Sequence, residues 1–229
     1  MLSLVLNDVT VRYAGLSKPV LDVPGLSLAA GAQLAITGGS GSGKSTLVNV
    51  ITGLESLRHG HARWNDTDLA TLSESARDRF RASNIGLVMQ DFHLFSGLSA
   101  IDNILLPARL SRLATQECVE RGHALMQRFG LERPDQPVET MSRGEMQRVA
   151  VARALLRKPG VIIADEPTAS LDAEAGAAVA DLLLDVAGSE GSTLIVVSHD
   201  TRLVERLPRR IELKNGTILY DTQAQECGQ

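Results

Sequence analysis

The hydrophobic pattern changes period along the chain, and each change marks an element. Leu2 to Tyr13 alternates apolar and polar residues, the period of a half-buried strand, and reads as one long β segment or two. Leu26 to Leu28 and Gln33 to Thr37 are short β segments flanking a turn at Gly31. Leu47, Val50, Ile51 and Leu54 then recur at i, i+3, i+4 and i+7, which is one face of a helix. Ile85 to Met89 (IGLVM) is a short buried strand. From about Asp91 to Pro159 Leu, Ala, Arg and Gln dominate and helical periodicity takes over. Cys118 falls in step with Gly122, Leu125, Met126 and Phe129 as a buried helix position. Met146, Val149, Ala152 and Leu156 mark one face of a further helix. After Gly160 the apolar runs become continuous (VIIAD, then TLIVVS), as strands buried on both faces require. Between them Val179, Leu182, Leu183 and Val186 mark a helix face. Arg209 to Tyr220 closes the chain with two β runs around Asn215-Gly216, a hairpin signal. The pattern predicts one α/β domain, residues 1–229, in which 1–90 and 159–229 form a core and 91–158 a helical insertion.

The chemistry sits at the element boundaries. Gly38, Gly39, Ser40, Gly41, Ser42, Gly43, Lys44, Ser45 and Thr46 fit GxxxxGK(S/T) between a predicted strand and a predicted helix. A triphosphate needs a concave row of backbone N–H groups, which larger side chains would block. Lys44 can reach the β- and γ-phosphates and the Ser45 hydroxyl can ligate Mg²⁺. The free N–H groups and dipole of the following helix favour the same negative charge. A flexible linker would not carry lysine at this offset. Two acids follow the VIIA strand: Asp165 can hold Mg²⁺, usually through water, and Glu166 can polarise an attacking water.

Composition narrows the partners. Only 3% of residues are aromatic and the net charge is −4, so neither a base-stacking platform nor a basic field for nucleic acid is expected. Cys118 and Cys227 make no disulfide framework and fit a reducing cytosol. No apolar run approaches the ~18 residues of a membrane span. The N-terminus lacks the basic start and cleavage site of a signal peptide. A membrane role is therefore expected through a partner protein.

Taken in order, the glycine loop at Gly38, Gln90, MSRGEMQR at Met141, ADEPTASLD at Ala164 and SHD at Ser198 resemble the ATPase subunit of an ABC transporter over essentially the whole chain. The resemblance implies a P-loop NTPase (RecA-like) α/β core with an antiparallel β subdomain and an inserted α-helical subdomain, binding ATP and Mg²⁺. It implies that Tyr13 stacks on adenine, where the residues alone also allow a half-exposed strand tyrosine. Gln90 would sense Mg²⁺ and the attacking water, or simply cap a strand. Ser142 and Gly144 would contact the γ-phosphate held by a second copy, and Asp172 would cross that dimer interface. Ser142, with Glu145 as a capping box, and Asp172 also suit helix N-caps. His199 would contact the γ-phosphate, with Glu166 as catalytic base.

Leu72 to Leu110 resembles the lipoprotein-release and macrolide-exporter branch, LolD and MacB, with the cell-division ATPase FtsE a close relative. That branch shares an acidic-basic helix before the glutamine strand and a segment matched by Asp102 to Pro107. The resemblance implies a peripheral protein on the cytoplasmic side of a bacterial inner membrane. A permease subunit would dock near Gln90 to Leu98 on Phe92, Leu94, Phe95 and Leu98, residues that core packing equally explains. An FtsE-like regulator is the alternative. A soluble ABC protein acting on DNA or the ribosome is disfavoured, since the chain has neither a second cassette nor a long coiled coil. Arg143 stands where the common signature has glycine; it is expected to point away from the phosphate, with Glu145 as a possible partner.

Overall fold

A computed structural model describes residues 1–111 and 113–223; Cys227 lies outside the described residues. In chain order the strands are β1 (Leu4–Val11), β2 (Leu21–Leu28), β3 (Gln33–Thr37), β4 (His59–Trp64), β5 (Thr67–Asp68), β6 (Ile85–Val88), β7 (Val161–Asp165), β8 (Thr193–Val197), β9 (Arg209–Lys214) and β10 (Thr217–Asp221). The helices are α1 (Lys44–Thr52), α2 (Glu74–Asn84), α3 (Ala100–Leu110), α4 (Gln116–Arg128), α5 (Arg143–Leu155), α6 (Ala173–Glu190) and the single turn α7 (Thr201–Val204).

Two sheets result. One is four-stranded and antiparallel, in the order β2-β1-β4-β5; the other runs β10-β9-β3-β8-β7-β6, with β9, β3, β8, β7 and β6 mutually parallel. The apolar runs of the central strands divide between the two faces of this sheet. Leu34, Ile36, Val161, Ile163, Ile195 and Val197 join a core with α1 and the antiparallel sheet. Ala35, Ile162, Ala164, Leu194 and Val196 join a second core with α3 to α6. All five residues of β8 are buried.

Several local features differ from expectation for physical reasons. Leu2 to Tyr13 yields one strand, β1. β2 begins earlier than Leu26; it contains Pro24 and Gly25, which its edge position tolerates. β4 (HGHARW) was not anticipated, because only Ala62 and Trp64 of its six residues are buried. Trp64 is fully buried and its Nε1 donates to the Ile51 carbonyl at 2.7 Å, tying β4 to α1. α2 buries no residue, so periodicity is silent there; the family resemblance alone anticipated it. α1 ends at Thr52 under a left-handed Gly53 cap, which leaves Leu54 off the helix face and exposed. Cys118 is half-buried rather than buried, its Sγ 3.5 Å from the Leu113 carbonyl oxygen.

α5 departs furthest. Instead of one apolar face it buries Gly144, Gln147, Val149, Ala150, Val151, Ala152 and Leu155, because it packs against α3, α4, α6 and β6 together. Its approach to β6 depends on Gly86, where a Cβ would lie 2.5 Å from the Ala154 carbonyl oxygen and 2.9 Å from Pro159 Cγ. At the far end Arg121 caps α5 through the Leu155 and Leu156 carbonyls, at 3.0 Å each, while its Nη2 pairs with Glu190 of α6 at 2.7 Å. Gly86→Ala is expected to force the helix and strand apart and lower unfolding free energy by about 1–3 kcal/mol. Urea denaturation checks this, and an unchanged midpoint would show that the contact yields without cost.

Candidate functional site

β3, β8, β7 and β6 are neighbours and parallel, so the segments that leave their carboxyl ends meet along one rim of the sheet. β3 leads into the glycine loop, β7 ends at Asp165, β8 leads to Ser198 and His199, and β6 leads to Gln90. Residues far apart in sequence are thereby placed along one rim.

The loop after β3 is shaped by glycines of two kinds. Gly38 has φ 144°, and a Cβ there would lie 2.3 Å from the Leu213 carbonyl oxygen and 2.7 Å from Ser42 Oγ. Gly43, φ 104°, would put a Cβ 2.9 Å from the Val20 carbonyl oxygen. The protein's own packing requires both. A Cβ on Gly39 would meet nothing within 4 Å, so whatever keeps that position bare lies outside the chain's packing. Ser42 Oγ is buried without a hydrogen-bond partner. Gly43, the N-cap of α1, offers no side-chain cap, and the first turn carries no acid, so its N–H groups remain donors for an outside anion. Lys44 Nζ folds back over the loop and donates to the Gly38 and Gly39 carbonyls at 2.8 and 2.9 Å. Ser40, Gly41 and Ser45 are exposed and Thr46 is buried. An orphaned hydroxyl, an uncapped helix and a bare glycine are the donor set that a phosphate chain fits. Tyr13 lies just past β1, 41% exposed, and its hydroxyl donates to Glu55 Oε2 at 2.9 Å. Partial burial first, then Glu55, raises its pKa. It is thus a partly exposed tyrosine beyond the strand rather than one within it.

Across the rim, the Asp165 carboxyl is held above the usual carboxylate range by burial and next by the adjacent Glu166, with Lys44 working against both. A buried acid beside a second acid suits a divalent cation. Glu166 has φ 49°, a left-handed backbone fixed by its N–H donating to the Val197 carbonyl at 2.8 Å. Its Oε2 lies 2.9 Å from His199 Nδ1, and the histidine ring is exposed. β6 ends at Val88, one residue short of the expected Met89, and Gln90 is exposed just beyond it.

Ser142 caps α5 in a complete capping box: its Oγ accepts from the Glu145 N–H at 3.3 Å, and its own N–H donates to Glu145 Oε2 at 2.8 Å. Those backbone and hydroxyl donors hold the Glu145 carboxyl below its ordinary range. Asp172 caps α6 by accepting from the Ala175 N–H at 2.8 Å. Gly144 lets the two helix N-termini meet, since a Cβ there would lie 3.3 Å from that of Ala175. The hydrogen bonds of Ser142 and Glu145 stay within the signature and Arg133 and do not reach the phosphate loop of the same chain. Glu145 is not the partner of Arg143, which is engaged by Ser170 and Phe92.

Sequence reasoning missed three polar residues that hold the site's loops. Fully buried Gln147 donates through Nε2 to the Pro167 carbonyl at 2.9 Å. Arg153 donates to the Phe92 and His93 carbonyls, both at 2.6 Å. Asn103 donates to the Phe95 carbonyl at 3.1 Å and accepts from its N–H at 2.7 Å. Only Asn103 carried a signal in the sequence, as a polar residue among the apolar positions of α3; Gln147 and Arg153 read as part of the polar side of α5. In the expected docking segment Phe92 is buried, Leu94 and Leu98 are half-buried, and Phe95 is 56% exposed. Phe92 is therefore core, and the free apolar surface is Phe95 with Met89.

Comparisons with known proteins give the family and the fold. Residues 21–169 match the ABC transporter family model. The chain is 38% identical over 219 residues to the lipoprotein-releasing system ATP-binding protein LolD of Nitratidesulfovibrio vulgaris, covering 94% of each. It is 40% identical over 197 residues to the macrolide export ATP-binding/permease protein MacB 1 of Aeromonas hydrophila, covering 86% of this chain and 30% of that one. A solved dimeric structure of the ATP-binding cassette MJ0796, in a post-hydrolysis state with ADP and phosphate, superposes with a TM-score of 0.86 at 31% identity, covering 95% and 97% of the two chains. The loop, the paired acids and the capped signature helix thus stand in a known frame, and the chain belongs to the ABC transporter family as an ATP-hydrolysing protein of the LolD and MacB branch.

Proposed function

We propose that the chain is the ATP-hydrolysing subunit of a bacterial inner-membrane transport complex, working as a dimer that closes over two ATP molecules. The observation that carries this reading is the signature's isolation from its own phosphate loop. Ser142 and Arg143 are exposed at the N-terminus of α5, with Gly144 buried behind them, and a second copy would lay this end over a bound γ-phosphate. The dimeric cassette it resembles supports the arrangement. Ser42 and the N–H groups of Gly39 to Thr46 would hold the phosphates, and Lys44 would trade the Gly38 and Gly39 carbonyls for phosphate oxygens. Ser45, Gln90 and Asp165 would hold Mg²⁺, which supplies charge neutralisation at the phosphates. Glu166, fixed by its backbone and by His199, would accept a proton from the attacking water. His199 would meet the γ-phosphate, and Asp172 would face the second copy. Residues 91–158 would move as the helical subdomain, with Phe95 and Met89 meeting a permease on the membrane's cytoplasmic side. No helix among the described residues is long and apolar enough to cross a membrane. An FtsE-like regulator would use the same site and differ only in its partner.

Three outcomes test this reading. Glu166→Gln is expected to keep ATP binding and lose at least about 100-fold in turnover, while Lys44→Ala loses binding; a Glu166→Gln protein turning over at the wild-type rate would remove the base assignment. Burial raises the Asp165 pKa, so its favourable contribution is full below the ordinary carboxylate range and is lost as pH rises through the raised value. Asp165→Asn should accordingly raise the melting temperature of the nucleotide-free protein at neutral pH by about 2–4 °C and abolish the extra stabilisation by Mg-ATP. A lower melting temperature would contradict it. Phe95→Asp should release the protein from membranes carrying its partner with ATP binding intact, whereas Phe92→Asp should unfold it by burying a charge. Retention of Phe95→Asp on those membranes would place the docking surface elsewhere.

A further inference from the structure

Arg143 touches two loops outside the signature. Its Nε donates to the Ser170 carbonyl oxygen at 3.0 Å, and its guanidinium stands over the Phe92 ring, 5.3 Å from the centroid. Ser170 lies between Glu166 and Asp172, and Phe92 lies two residues past Gln90. One side chain at the first position of α5 thus reaches both the loop that leaves β6 and the loop that leaves β7.

The Gln90 loop needs such holding. Phe92 and His93 have φ of 58° and 47°, two successive left-handed residues without a glycine. Such backbone persists only where its surroundings fix it. Arg153 fixes it from the far end of α5 through the Phe92 and His93 carbonyls. Gln147 pins the other loop through the Pro167 carbonyl. Each of these anchors serves one loop, whereas Arg143 serves both. Arginine is suited to this, since its planar guanidinium stacks on a ring while its edge donates to a carbonyl. A glycine here would leave the two loops joined only through the β6–β7 ladder at their roots and the separate anchors on α5.

We propose that Arg143 is a positioning residue that couples the Gln90 loop to the Pro167–Asp172 loop across the N-terminus of α5, so that the two loops move as one body. The catalytic consequence rests on the ATPase reading above; the linkage itself does not. Since neither linked loop belongs to Gly38 to Thr46, the segment expected to cradle the phosphates within the chain, loss of the linkage should appear in turnover rather than in ATP affinity.

The test uses the full-length protein. Amide exchange of residues 89–98 and 167–172 is followed in the nucleotide-free wild type and in Arg143→Ala, Arg143→Lys, Phe92→Leu and the Arg143→Ala/Phe92→Leu double variant, alongside steady-state ATPase kinetics. Arg143→Ala should speed exchange in both segments and lower kcat by about two- to tenfold, the worth of one ring contact and one hydrogen bond, with KM for ATP within about twofold. Arg143→Lys, which keeps the cation, should recover part of the loss. The double variant should be less impaired than the product of the singles, because both remove one shared contact. Faster exchange in one segment only, a loss carried by KM, or full additivity would overturn the coupling. If the wild type hydrolysed no ATP, the functional reading would fall while the exchange data still decided the linkage.

Discussion

The burial of β8 between β3 and β7 is the constraint on which the site depends. Its five residues are shut away on both faces, and its backbone is hydrogen-bonded on both edges. The strands beside it cannot shift without breaking both ladders and opening both cores. The glycine loop, Asp165 and His199 are therefore set along the rim by a slab with no polar side chain in its interior except Thr193. The positions of the chemical groups follow from where three strands stop.

What the slab positions is electrostatically unsettled. Asp165 and Glu166 are adjacent acids at the end of a buried strand, and Lys44, the cation that acts on Asp165, spends its donors on the carbonyls of its own loop. Glu166 adds a left-handed backbone. The stability is supplied elsewhere, by Trp64 under β4, by the capped ends of α5 and by the two apolar cores. Such a site is relaxed by a guest that brings both phosphate oxygens and a cation, because each component satisfies groups the chain leaves in conflict.

Legibility in the sequence followed the strength of the local signal. β3, β7 and β8 were readable because double burial makes continuous apolar runs, and the glycine loop because its spacing is chemically restrictive. β4 and α2 were not readable from periodicity. One buries only alternate residues behind histidines, and the other buries none. α5 was misread as one-sided because its inward polar residues, Gln147 and Arg153, looked like a solvent face; they point at carbonyls of neighbouring loops. Phe92 and Phe95 look alike in sequence, and only the left-handed turn and the Asn103 clamp send one inward and the other out. Third-dimensional neighbours decide such residues, and no window of sequence contains them.

The order of strands in the parallel sheet also bears on how the protein is made. β3 is made well before both its partners, β8 and β9, which follow the whole helical segment. Until they arrive, QLAIT has two unpaired edges, and the antiparallel sheet and α1 can cover only one of its faces. β6 and β7 likewise wait on each other across the whole helical segment. The sheet that carries the phosphate loop is completed only after β8 and β9 have left the ribosome. A truncated product would display a sticky apolar strand and no nucleotide site, a natural target for chaperones and proteases.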